Sequence, residues 1–256
     1  MHRAGYAALG LDYAYVPFGI SSARLPAALE AMRALGVRGL GVSMPFKLEV
    51  LPLLDALDAD AARIGACNTV VNDGGRLTGY NTDAPGALAA LREVMEPRGT
   101  RIVVLGAGGA ARAIVVGLAL ADARVTVVNR DDARASALAA AASAATGRRV
   151  EAEAAGGGTA LATADALVNA TSVGMTAQGL GLPVDAARLR PSLVVMDAVY
   201  DPTETPLVAA ARHLGAPVVH GGRMLLHQAA GQFELYTGAP APLASMDAAL
   251  RAALAP

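Results

Sequence analysis

The sequence predicts an α/β protein of two domains, and three observations predict it. From residue 101 onward, short apolar segments alternate with long Ala-rich helical ones, the pattern of a parallel sheet covered on both faces. One of those segments, RIVVL at 101–105, runs directly into a glycine-rich turn that opens a helix. The first 82 residues lack this texture and hold a turn, Asp73-Gly74-Gly75, between two short strand patterns.

In the first half, residues 12–17 (DYAYVP) alternate in strand fashion, 23–35 have helical Ala and Leu spacing, and 37–42 return to a strand pattern. Helical stretches follow Pro45 as far as residue 63, and residues 68–72 and 76–79 make a hairpin around the Asp73-Gly74-Gly75 turn. In the second half, helix is expected over 84–94, strand over 101–105, helix over 110–120, strand over 125–129 and helix over 133–145. Strands ALVN (166–169) and LVVMD (193–197) follow, with a short last strand at 217–220 and helices over 222–236 and 244–254. Residues 155–160 (AGGGTA) read as a flexible loop. The second domain is placed at 83–221, and the first is discontinuous, 1–82 with 222–256, the site lying in the cleft between them.

Composition excludes several classes of function. With 21 Lys+Arg against 22 Asp+Glu, the net charge of -1 gives no electrostatic footprint for nucleic acid or an anionic membrane. A 54% hydrophobic content is ample for a core, yet no uninterrupted run approaches the roughly 20 residues of a membrane span, and the N-terminus has no signal-peptide pattern. A cytoplasmic protein is expected. One cysteine, Cys67, forms no internal disulfide and reads as a small buried residue, and four scattered histidines do not have metal-ligand spacing, so no metal is expected.

The turn Gly106-Ala107-Gly108-Gly109-Ala110-Ala111 has glycines where a backbone must approach a pyrophosphate at a helix N-terminus. Ala111 stands at the third glycine position, and Gly109 is extra; taken alone, the cluster is equally well a tight turn. At the end of the next strand stand Asn129 and Arg130, with Arg134 one helical turn on. Guanidinium groups bind a 2'-phosphate bidentately, which favours NADP, with NAD as the alternative. Asp131 and Asp132 weigh against it, or are first-turn acids of the next helix.

Three segments of the first half carry chemistry: Ser43-Met44-Pro45-Phe46-Lys47, Gly65-Ala66-Cys67-Asn68-Thr69 and Gly79-Tyr80-Asn81-Thr82-Asp83. A nicotinamide-dependent reaction moves a proton with its hydride, and a lysine beside a carboxylate can shuttle that proton, so Lys47 and Asp83 form the natural pair. Each has a plain alternative: Lys47 as a solvated charge at a helix start, Asp83 as a helix N-cap, Asn81 as a turn residue.

Together with Met1-His2, Asn169 to Met175, Asp197 to Leu207 and Gly221 to Gln228, these segments resemble the shikimate dehydrogenase family over nearly the whole chain. The resemblance implies a substrate domain joined to a Rossmann-like NADP domain, and reduction of 3-dehydroshikimate or a closely related cyclic keto acid. It implies Lys47 as acid/base with Asp83 as partner, and Ser43, Asn68, Tyr200 and Gln228 around the substrate. It implies Gly106, Ala107, Gly108, Gly109, Ala110, Asn129, Arg130 and Arg134 around the cofactor, with Thr171 and Met224 near its ribose and nicotinamide. A small-molecule substrate, no nucleic acid or membrane partner, and a monomer or homodimer complete the expectation. Thr171 as a strand-end cap, Tyr200 as a core aromatic and Gln228 as a surface residue are the plain readings; His213, His220 and His227 match no catalytic position.

Two departures bear on substrate. Met1-His2 coincides with an internal Met-His of the family, so the family's first strand and its S-x-S carboxylate clamp are expected to be lacking. Gly41-Val42-Ser43 stands where N-V-T is usual, a form similar to a shikimate-dehydrogenase-like subgroup. A catalytically weak or non-catalytic ligand-binding or regulatory relative is the alternative function.

Overall fold

The computed structural model describes residues 1–154, 158–178 and 180–254. The chain divides into two compact units, Met1–Thr82 with Gln228–Pro256, and Asp83–His227.

The first unit begins with helix α1 (His2–Ala8) and α2 (Leu25–Ala34), then strand β1 (Gly39–Gly41), the short α3 (Phe46–Glu49), β2 (Ala56–Leu57), α4 (Ala59–Ile64) and the hairpin β3 (Thr69–Asp73) and β4 (Arg76–Tyr80). The sheet order is β1-β3-β4-β2, antiparallel except for the β2–β4 pair. Gly74 and Gly75 take positive φ, +61° and +97°, which a two-residue hairpin turn requires of its glycines. Leu25, Leu29 and Met32 on one face of α2 pack with Val42, Val50, Cys67, Val70 and Leu77 into the unit's core. A Cβ at Gly39 would fall inside the Tyr236 ring, so glycine there lets the last long helix lie directly on β1.

The strand expected over residues 12–17 does not form: 11–21 have no regular structure. Aromatic docking fixes this segment instead of a backbone ladder. The Tyr15 ring stacks on His2 at 4.2 Å and Tyr13 tilts against Tyr6 at 5.3 Å, while Val16 and Phe18 stay exposed. After Pro45 the helical stretches are α3 and a single 3-10 turn at Leu51–Leu53; the chain becomes extended at Leu54 and pairs as β2 beside β4, with the Asp55 and Asp58 amides donating to Leu77 and Gly79 carbonyls.

The second unit comprises α5 (Asp83–Arg92), β5 (Arg101–Leu105), α6 (Gly109–Leu120), β6 (Arg124–Val128), α7 (Asp132–Thr146), β7 (Val150–Glu153), α8 (Gly158–Thr163), β8 (Ala166–Asn169), β9 (Val194–Asp197), α9 (Pro206–His213) and β10 (Val218–Val219). The six strands are all parallel in the order β7-β6-β5-β8-β9-β10, the doubly wound Rossmann order. Every residue of β8 and β9 is buried, as helices on both faces demand. Strand β7 is an addition to the expected elements; its sequence, VEAE, is too polar and short to read as a sheet strand. Of the loop expected at 155–160, residues 158–160 instead start α8, and 155–157 lie outside the described residues.

Helix α10 (Gly221–Thr237) begins in the second unit and ends in the first, followed by α11 (Leu243–Leu254). Tyr6 stacks on Phe233 of α10, and Gly5 leaves room for that ring. Among the described residues no helix is long and apolar enough to cross a membrane.

Candidate active site

In the first unit the three segments singled out by their chemistry meet at Asn68. The Asn68 amide N–H donates to the Tyr80 carbonyl at 3.1 Å, and its carbonyl accepts from the Val42 N–H at 2.7 Å. One residue earlier, the Cys67 N–H donates to the Lys47 carbonyl at 2.8 Å. The ends of β1 and β4 and the start of β3 are thereby tied to the turn that carries Lys47. Lys47 is half-buried in α3, and Ser43 and Met44 are exposed ahead of it.

The Asn68 side chain, 2% exposed, is engaged on both ends. Its Nδ2 donates to Thr82 Oγ1 at 2.9 Å and to Gln228 Oε1 at 3.3 Å, while its Oδ1 accepts from Thr69 Oγ1 and the Thr82 N–H, both at 2.8 Å. Asn68 therefore holds the site together, and Gln228 is oriented by it. Gln232, one turn beyond Gln228, is a site residue that sequence reasoning misses; it donates to the Asn68 carbonyl at 3.2 Å and to Thr69 Oγ1 at 3.0 Å. The signal for it is the i, i+4 spacing of two glutamines on one helix face. Asn81 is a buried tie, its Nδ2 donating to the Ala66 carbonyl at 2.9 Å.

In the second unit the glycine-rich turn follows β5 at the switch point of the sheet, where β5 and β8 are neighbours whose chains continue to opposite sides. Gly106 has φ +108°, and a Cβ there would lie 3.0 Å from the Ala170 carbonyl oxygen and 3.1 Å from Thr171 Cγ2. Only glycine lets the two loops approach so closely. Gly108 is the N-cap of α6, supplies no side chain to its N–H groups, and has open space where a Cβ would be. Ala107, Gly109 and Ala110 are half-buried, and Ala111 is fully buried. A helix N-terminus with no side-chain cap, and with open space beside its N-cap glycine, fits a pyrophosphate.

Beyond β6, Asn129 Nδ2 donates to the Asp131 carbonyl at 3.1 Å, and Asp131 Oδ1 accepts from the Arg134 N–H at 3.1 Å, capping α7. The Asp131 carboxylate thus serves the helix. Arg130 and Arg134 are exposed, and among the described residues neither guanidinium makes an ion pair or hydrogen bond. That pair of cations fits a 2'-phosphate.

Thr171 makes the strand-end hydrogen bonds of a cap: its N–H and Oγ1 both donate to Asn169 Oδ1, at 3.1 and 2.7 Å. Asp83 opens α5 and is 4% exposed, Met224 is buried in α10, and Tyr200 is 43% exposed after β9, so it is not a core aromatic. Lys47 belongs to the first unit and Asp83 to the second. Among the described residues no group of three or more His, Cys, Asp and Glu side chains could hold a metal ion.

Family models match three stretches of the chain: the shikimate dehydrogenase substrate binding domain at residues 1–70, shikimate / quinate 5-dehydrogenase at 89–177, and the shikimate 5'-dehydrogenase C-terminal domain at 221–251. The chain is 43% identical to the shikimate dehydrogenase (NADP(+)) of Citrifermentans bemidjiense over 99% of its own length and 90% of that protein's. Among solved structures it is similar to the shikimate 5-dehydrogenase of Thermus thermophilus in complex with NADP(H) and shikimate, with TM-score 0.90 and 36% identity over 99% of this chain and 93% of that one. It is also similar to a 5-ketofructose reductase of Gluconobacter sp. strain CHM43, with TM-score 0.88 and 36% identity over 98% and 92%.

Proposed function

The chain belongs to the shikimate dehydrogenase family, and on that premise we propose that it is an NADP-dependent oxidoreductase interconverting 3-dehydroshikimate and shikimate or a closely related cyclic hydroxy acid. The observation that carries the reading is the convergence of the Lys47, Asn68 and Thr82 segments: the Cys67 N–H bonds the Lys47 carbonyl, the Asn68 N–H bonds the Tyr80 carbonyl, and the Asn68 side chain accepts from the Thr82 N–H.

In this reading NADPH supplies the hydride when bound. The uncapped amides of Gly109 and Ala110 hold its pyrophosphate, Gly106 and Gly108 clear the approach, and Arg130 and Arg134 select the 2'-phosphate. Lys47 delivers a proton to the substrate oxygen as the carbonyl becomes a hydroxyl, and takes it back in the reverse direction, with Asp83 as the second member of the proposed acid/base pair. Asn68 Nδ2 donates to Gln228 Oε1 and so orients the side chain assigned here to a substrate hydroxyl. Ser43 and Tyr200 offer exposed hydroxyls for the remaining polar groups. The reading takes the enzyme as cytoplasmic, in keeping with a lone, buried cysteine, and acting as a monomer or homodimer.

The test is NADPH absorbance on mixing with 3-dehydroshikimate, and the reverse assay with NADP and a panel of shikimate, quinate and the reduced form of 5-ketofructose. Turnover with a cyclic hydroxy acid is expected. Silence with every cyclic acid, or turnover with the ketofructose couple alone, would overturn the proposed substrate class.

A further inference from the structure

A chain of buried polar groups runs behind the glycine-rich turn, and none of its inner members touches the surface. Asn169 and Asp197 are the last residues of β8 and β9, stand opposite each other in the sheet, and are both 0% exposed. Asn169 Nδ2 donates to Asp197 Oδ1 at 2.9 Å and to the Val173 carbonyl at 3.1 Å. The other Asp197 contacts are also donors: the Val199 N–H at 3.0 Å to Oδ1 and Thr205 Oγ1 at 2.7 Å to Oδ2. Thr205, itself fully buried, caps α9 by accepting from the Val208 N–H at 3.2 Å.

The carboxylate settles which way the Asn169 amide points. Were that amide turned over, its oxygen would face Asp197 Oδ1, acceptor against acceptor in a fully buried site. Held in the observed sense, Asn169 presents Oδ1 to both the N–H and the hydroxyl of Thr171, and Thr171 Oγ1 in turn accepts from the Val173 N–H at 3.1 Å. Thr171 is the residue whose methyl abuts Gly106, and the Ala170 N–H donates to the Leu105 carbonyl at 2.9 Å. The loop after β8 is thus fixed against the turn after β5.

We propose that Asp197 is a positioning residue for the dinucleotide: by orienting Asn169 it locks Thr171 against Gly106 and so sets the width of the opening at the switch point. This rests on the reading of the glycine turn as the NADPH site. Burial pushes the Asp197 pKa up, and its three donors, Thr205, Val199 and Asn169, oppose that.

The test compares Asp197→Leu, which fills the space with no acceptor, with Asp197→Asn, which can still turn an oxygen to Asn169 and its amide to Thr205. NADPH Kd, measured by fluorescence titration on protein shown folded by circular dichroism, is expected to rise about tenfold or more in the leucine variant. It should stay within about threefold of wild type in the asparagine variant, with kcat at saturating NADPH little changed in both. A folded Asp197→Leu protein that binds NADPH as wild type does would overturn the proposal, as would equal losses in the two variants. Should Asp197→Leu not fold, Thr171→Val keeps the branched shape and removes only the hydroxyl links; an unchanged Kd there, or a loss equally large in Thr171→Ser, also overturns it. Wild-type protein that binds no NADPH would instead remove the functional reading, and the inference with it.

Discussion

The side-chain amide of Asn68 donates to Gln228 Oε1 at 3.3 Å across 160 positions of sequence. The bond gives the two residues different tasks. Asn68 directs its side-chain amide to Thr69, Thr82 and Gln228, whereas Gln228, half-buried beside it, is the member of the pair proposed to meet the substrate.

Asn68→Ala is therefore expected to act first on stability. It strands Thr82 and Gln228 groups that are now paired, at a cost of about 2–3 kcal/mol in a urea titration. Gln228→Ala should raise the KM for the hydroxy acid with little change in the urea midpoint. A reversal of that split would show Gln228 to be the structural member.

Lys47→Ala is expected to lower kcat about a hundredfold, the scale of a positioned proton donor, while leaving NADPH affinity within about twofold. Steady-state rates with each ligand varied in turn check it. An equal fall in cofactor affinity would point to a distorted fold.

Arg130→Ala and Arg134→Ala should each weaken NADPH about tenfold, and NADH hardly at all, because only NADPH brings the phosphate that a guanidinium recognises. Parallel titrations with the two nucleotides decide it. Matching losses would refute the 2'-phosphate assignment.

Gly106→Ala combines a φ of +108° with a Cβ 3.0 Å from a backbone oxygen. A loss of about 2 kcal/mol or more is expected in thermal unfolding, together with weaker NADPH binding. Gly108→Ala, in open space at φ −86°, should melt close to wild type.

Burial, opposed by a hydrogen bond that the imidazole donates to Gln232, pulls the pKa of His2 down from 6.5 to about 4. Its stability contribution is therefore full above pH 6.5 and is lost as pH falls from there to about 4, by on the order of 3 kcal/mol. Urea titrations at pH 7, 5 and 4 should show that decline, and His2→Phe should flatten it. An equally steep decline in His2→Phe would assign it to other groups.

Much of the Rossmann half could be read locally, because RIVVL, VTVVN, ALVN and LVVMD are apolar runs buried on both faces, and such strands announce themselves without knowledge of their neighbours. Residues 12–17 mislead for the converse reason: period-two alternation describes where side chains point, and here Tyr13 and Tyr15 point at Tyr6 and His2 with no ladder beside them. Strand β2 is only two residues long and β7 is partly polar, and they exist through pairing with β4 and β6, which local pattern does not encode. At the site, Lys47 and the glycines are visible as residue types in suggestive places. Gln232 and the Asn169–Asp197 pair are not, since their meaning lies in partners many residues away.

Thr82 and Gln228 are the last residue before the Rossmann module and the first after it, and both hydrogen-bond one side chain, Asn68. The module is thus a guest in its host, with its two seams pinned at a single asparagine. Deleting residues 83–227 and bridging the seams with a few glycines should leave a miniature protein able to fold without its insert, provided that asparagine is retained.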